Sequence, residues 1–131
     1  MKAAFFTKHG GPEELQYGEY KEPVAGPGQV LVDVHAASVN GADWRVVAGS
    51  YGPVGFLPYS PGRDFSGVVS ALGEGVKDFK IGDEVFGVCD VGIEAAYAEK
   101  VAIREAIIAK KPATLTHIET AAVALIGLTA L

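Results

Sequence analysis

Cysteine is almost absent from this chain. Cys89 is the only one, so no internal disulfide can form and no multi-cysteine zinc motif can be written. Positive charge is also scarce. The chain has 11 lysines and arginines against 16 acids, a net charge of −5, and no basic run. That balance argues against nucleic acid and anionic membrane surfaces as partners. No apolar run reaches the length of a membrane-spanning helix. The opening Ala3-Ala4-Phe5-Phe6 is too short for a signal-peptide core. There is no internal repeat and no low-complexity tract. The expected setting is therefore cytoplasmic and reducing.

Glycine and proline are plentiful: 17 and 7 among 131 residues, 49% of which are hydrophobic. That mixture favours a turn-rich β architecture over a helix bundle. Short strands are expected at Ala3 to Phe6 and Leu15 to Tyr20. The clearest strand runs from Gln29 to Val39. There Val30, Val32, Val34 and Ala36 alternate with Leu31, Asp33, His35 and Ala37, so one face is core and the other mixed. Further strands are expected through Val68, Val69 and Ala71, at Val85 to Cys89, at Tyr97 to Ile103 and at Ala106 to Ala109. Many short strands between turn signals predict a barrel or sandwich.

Two helices interrupt this pattern. Asn40 is a good N-cap, Asp43 suits the first turn of a helix, and Gly49 is a natural stop. A short helix is expected between them, followed by a loop from Ser50 to Ser60. Near the end, Thr116 and Glu119 form a capping box. The helix they start is apolar on every side, and such a helix should be buried. Nothing that follows in the sequence covers it, so self-association, as a homodimer or otherwise, is expected of the chain on its own.

Pro61-Gly62-Arg63-Asp64-Phe65-Ser66-Gly67-Val68-Val69 organises the rest. A turn, a charged pair and a β-branched strand follow one another, which holds polar groups at the rim of a rigid sheet. Together with Asn40-x-x-Asp43-Trp44, Ile81-Gly82-Asp83-Glu84-Val85-Phe86-Gly87 and the C-terminal Ala121-to-Ala130 segment, it resembles the N-terminal, GroES-like domain of medium-chain dehydrogenases/reductases. The resemblance implies a mainly β fold: a partly open β-barrel with a short helix after the third strand. A C-terminal helix would lead to a Rossmann domain. It divides the chain into a catalytic domain over 1–115 and the start of a linking helix over 116–131.

In the zinc branch of that superfamily the metal ligands stand at the positions of Asn40 and Arg63 and near Leu125. None of these residues offers a sulfur or an imidazole. The resemblance is therefore to the zinc-free, quinone oxidoreductase-like branch. It implies NADPH as cofactor, no zinc, and a small-molecule electron acceptor such as a quinone, an enone or another activated carbonyl compound. NADPH would be held mostly by the other domain. This chain alone would be inactive. The other reading of the same barrel is a non-catalytic binding module.

The candidate site residues follow. Asn40 either caps its helix or places its amide beside the nicotinamide as catalytic donor to the acceptor carbonyl, and the two roles are compatible. Trp44 and Tyr51 would form an aromatic wall of the substrate pocket. Trp44 reads first as the hydrophobic anchor of its helix, and Tyr51 as a pocket residue. Arg63 reads first as an ion pair with Asp64 that fixes the turn, and second as a cation reaching into the cleft. Thr129, by resemblance alone, contacts the cofactor. Cys89 reads as a buried small hydrophobe. His9, His35 and His117 lie on separate elements and read as structural or solvated.

Overall fold

The strongest strand pattern in the sequence lies at the heart of the sheet. The computed structural model describes residues 1–131. Strand β3 (Gln29–Ala37) is flanked by β4 (Asp64–Leu72) and β6 (Lys100–Arg104), and β5 (Glu84–Val88) and β7 (Ile108–Lys110) extend the β4 side. Every pairing is antiparallel, in the order β6-β3-β4-β5-β7. The sheet curls into a partly open barrel. A separate two-stranded ribbon joins β1 (Lys2–Phe5) to β2 (Gln16–Glu19).

The alternation read along β3 is the one the fold uses. Val30 and Val32 are fully buried and meet Phe65, Val69, Val85 and Val101 in the main core. A second, smaller cluster of Phe6, Val47 and Tyr59 sits under the short helix. Gly67 is what lets β3 and β4 close. A Cβ there would stand 2.0 Å from the Asp33 carbonyl oxygen, so no larger residue fits without moving backbone.

Helix α1 (Gly41–Ala48) starts after Asn40 and stops at Gly49, which takes the left-handed conformation at φ 78°. The Asn40–Asp43 pair is placed as a capping box. The Asp43 half closes at hydrogen-bond distance: its Oδ2 accepts the Asn40 backbone N–H at 2.9 Å. Helix α2 (His117–Ala130) carries the full Thr116–Glu119 box, with the two bonds at 3.0 and 3.1 Å.

Four expectations need correction. The strand expected around Val68 begins at Asp64, so the charged residue is inside the sheet rather than on the turn before it. The strand expected from Tyr97 begins only at Lys100, and Ala106 lies in a short 3₁₀ turn before β7. Trp44 is not the anchor of α1: it is 55% exposed with the Arg45 guanidinium over its ring, and Val47 and Asp43 face inward instead. Helix α2, apolar all round in sequence, is covered on one side. Thr120, Ala121 and Ala124 are buried, the helix packs against β3, β4 and β5, and Ile118, Ile126 and Leu128 remain exposed. Small residues on the buried side let the helix approach the sheet closely.

Candidate functional site

Asp64 is fully buried at the head of β4. Its Oδ1 accepts from the Ser38 hydroxyl at 2.6 Å and from the Asn40 side-chain amide at 3.0 Å. Its Oδ2 accepts from the Leu125 backbone N–H at 3.0 Å. No cation stands within ion-pair distance of it. A buried carboxylate must be satisfied by donors or by a counter-charge. Here three donors satisfy it, and they tie the end of β3, the start of α1 and the middle of α2 to one side chain.

Thr129 joins the same arrangement from the other end. Its hydroxyl donates to the Leu125 carbonyl at 3.3 Å, and the residue is exposed. A hydrogen-bonded path thus runs Asn40–Asp64–Leu125–Thr129. The side chain of Asn40 makes no cap hydrogen bond to α1. Its amide is directed to Asp64, with a longer 3.5 Å contact to the Ser38 hydroxyl.

Arg63 turns away from this hub. Its Nε donates to the Cys89 carbonyl at 3.1 Å, and its two terminal nitrogens meet no protein acceptor. The expected Arg63–Asp64 ion pair does not form. Neighbouring residues of an extended chain project to opposite sides, so Asp64 faces α2 while Arg63 faces a cavity. That cavity encloses about 300 Å³ and is lined by Tyr51, Tyr59, Val46, Arg63 and Glu94 among others. Trp44 does not share it. Trp44 lines a smaller hollow of about 110 Å³ with Asn40, Asp43 and Tyr97. The single aromatic wall expected from Trp44 and Tyr51 is therefore two separate surfaces.

The burial of two acids escaped the reading of the sequence. Glu94 is 6% exposed, and its Oε2 accepts from the Tyr59 hydroxyl through a very short contact and from the Gly92 N–H at 3.1 Å. It lies in an irregular loop, where an acid next to Gly92 reads as solvated. Asp43 is 3% exposed and accepts from the Tyr97 hydroxyl at 2.6 Å. Burial, then the Asp43 carboxylate, push the Tyr97 phenol far above its ordinary range.

Cys89 behaves as expected. It is buried, and burial raises its thiol to about 11, so it is not a nucleophile at neutral pH. The histidines are less separate than expected. The His35 and His117 rings lie tilted against each other with centroids 4.5 Å apart, and His117 Nδ1 pairs with the Ser66 hydroxyl at 2.7 Å. His9 bridges the Val47 carbonyl and the Val54 N–H at 3.1 and 3.2 Å. No three His, Cys, Asp or Glu side chains converge as a metal-binding group, and no helix is long and apolar enough to cross a membrane.

Comparison with known proteins gives the geometry its context. The family model of the alcohol dehydrogenase GroES-like domain matches residues 26–113. The chain is 35% identical over 124 residues to a quinone oxidoreductase of Homo sapiens, covering 94% of this chain and 37% of that protein. It is 40% identical over 100 residues to a quinone oxidoreductase of Sus scrofa, covering 76% of this chain and 30% of that one. Among solved structures it resembles the quinone oxidoreductase of Escherichia coli complexed with NADPH, with a TM-score of 0.91 and 33% identity. That match covers 98% of this chain and 39% of the other. The chain thus spans well under half the length of these relatives.

Proposed function

Because the chain belongs to the medium-chain dehydrogenase/reductase superfamily, in its quinone oxidoreductase-like branch, we propose that it is the catalytic domain of a zinc-independent, NADPH-dependent oxidoreductase. Its acceptor is a quinone, an enone or another small activated carbonyl compound. The observation that carries this reading is the Asp64 hub. The positions that resemblance equates with zinc ligands are occupied by an amide, a guanidinium and an aliphatic side chain. Two of them, Asn40 and Leu125, are bonded to a buried carboxylate instead. That chemistry favours a site which positions an acceptor by hydrogen bonds over one which polarises it with a metal.

NADPH supplies the hydride when it is bound. Asn40 and Thr129 suit it chemically. Thr129 presents its hydroxyl on the exposed face of α2, and Asn40 has a carboxamide oxygen without a cap bond. The Asp64 hub holds both at a fixed separation. Asn40 lines the hollow with Trp44, whereas Arg63 and Tyr51 line the larger cavity, so Arg63 is the donor to the acceptor oxygen and Asn40 serves the cofactor side. Charge grows on that oxygen as hydride arrives, so a donor aimed there helps the transition state most. The exposed apolar residues of α2 are a surface for self-association or for the remainder of a longer protein.

The test is NADPH oxidation with a 1,4-quinone or a cyclic enone, measured on the complete gene product carrying this chain, together with elemental analysis. Turnover without bound metal is expected. Equimolar tightly held zinc, or no turnover with either acceptor class, overturns the reading.

A further inference from the structure

The cavity beside Arg63 contains two unsatisfied groups of opposite charge. On one wall, Arg63 spends its Nε on the Cys89 carbonyl and leaves both terminal nitrogens free. On another, Glu94 is more than nine-tenths buried, yet only one of its oxygens is engaged. Oε2 takes both the Tyr59 hydroxyl and the Gly92 N–H, so the carboxylate cannot swing. Oε1 has no protein donor but is not sealed off: only the Ser60 hydroxyl is both buried and unpartnered. No lysine, arginine or histidine lies within 4.0 Å of Glu94, and it forms no ion pair with Arg63. An unengaged acceptor that solvent can reach is able to take a donor from outside the protein.

We propose that Glu94 makes this cavity selective for a neutral acceptor that carries a hydroxyl in addition to its carbonyl. The Arg63 guanidinium donates to the carbonyl oxygen, and Glu94 Oε1 accepts from the hydroxyl. Two charge arguments narrow the ligand to this class. An anionic ligand is drawn to Arg63 but meets the Glu94 carboxylate, and an ammonium is drawn to Glu94 but meets Arg63. A neutral molecule with one donor and one acceptor satisfies both walls. Tyr51, Tyr59 and Val46 supply flat and aliphatic contact for its ring, and about 300 Å³ suits a molecule of one or two rings. The inference rests on the proposed reading of this cavity as the acceptor site and names what that acceptor carries.

Three cyclic enones test it: 3-methyl-, 3-hydroxymethyl- and 3-methoxymethyl-cyclohex-2-enone. They share the carbonyl and differ only in the added group, which is apolar, a donor and acceptor, or an acceptor alone. Binding is followed on the 131-residue chain by amide chemical-shift titration. The hydroxymethyl compound is expected to bind about tenfold more tightly than the other two, since a hydrogen bond to a buried carboxylate is at stake. In Glu94→Gln, Tyr59 and Gly92 hold the amide oxygen, so the NH₂ group faces the cavity. The preference for hydroxymethyl over methoxymethyl should then vanish. Equal affinities in the unaltered protein, with shifts at Tyr51 and Arg63, overturn the role of Glu94 and leave the cavity standing as the acceptor site. Absence of shifts around that cavity with all three compounds overturns the acceptor site itself. The comparison of the three compounds needs no variant, so it holds even if Glu94→Gln folds poorly.

Discussion

Asp64 and Glu94 are both carboxylates under the surface, and the fold treats them differently. Asp64 is completely buried, and both of its oxygens are engaged by donors from three elements. Glu94 has both of its bonds on one oxygen, within a loop and the neighbouring Tyr59. The first arrangement is closed, and a ligand has nothing to add to it. The second leaves one oxygen unengaged, on a residue that lines two cavities. The difference teaches that burial alone does not mark a functional group. What marks it is a polar atom whose partners the protein does not supply and which a ligand can reach.

That contrast predicts unequal costs. Removing Asp64 leaves Ser38, Asn40 and the Leu125 N–H without their acceptor. Asp64→Ala should therefore destabilise the chain by about 4 kcal/mol, read as a fall in the urea midpoint. Glu94→Ala should cost about half as much by the same measure, and equal losses would erase the distinction between a closed and an open site.

The next largest effect sharpens the same contrast from the donor side. Asn40→Asp places a second carboxylate against Asp64 in place of an amide at 3.0 Å. Aspartate caps a helix as well as asparagine does, so a position that only capped α1 would tolerate the change. The structure instead predicts a loss of about 2 kcal/mol at neutral pH, from two like charges sharing one site. One of the pair must take up a proton in the folded state above its ordinary range, so the loss should shrink as pH falls. Melting temperatures of the variant and the unaltered chain at pH 7 and pH 4 check this, and a difference between them that is the same at both would contradict it. A smaller effect is expected for Tyr59→Phe, which removes one donor from Glu94 Oε2 and should cost about 1 kcal/mol in denaturant titration.

The smallest effect lies at the N-terminal end of α2, whose middle rests on Asp64. Burial, and then the neighbouring His35, hold the His117 imidazole below its ordinary value of 6.5. A depressed histidine favours the neutral form when folded. Below about pH 6.5 the unfolded chain takes up a proton that the folded chain resists, so stability declines as pH falls from there toward the depressed value. Because His35 opposes the charge, His35→Ala should flatten that decline, with Asp64 still holding the helix. A melting temperature that rose between pH 7 and pH 5.5 would have the wrong sign for this account.

Much of the frame was legible before any coordinates. The alternation through Val30 and Val32 identified the central strand, Asn40 and Gly49 bounded α1, and Thr116 with Glu119 started α2. These are signals between residues close in sequence, and local backbone geometry is enough to express them. The site was less legible. Arg63 and Asp64 read as partners because they are adjacent and oppositely charged, yet an extended backbone sends them to opposite sides. Trp44 read as an anchor because it is large and apolar, but the register of α1 turned Asp43 and Val47 inward in its place.

The sequence by itself determined a mainly β frame and the two helices with their caps, which follow from residue types and short-range periodicity. The superfamily and its quinone oxidoreductase-like branch came from resemblance over the motifs around Asn40, Arg63, Asp83 and Leu125. Only the tertiary structure decided which acids are satisfied and which remain open. Asp64 meets Asn40 across 24 positions and Leu125 across 61, and Glu94 meets Tyr59 across 35. A hydrogen bond depends on distances of a few ångströms and on direction. Those distances exist only after β3, β4, the loop and α2 have packed, so no pattern along the chain could specify them.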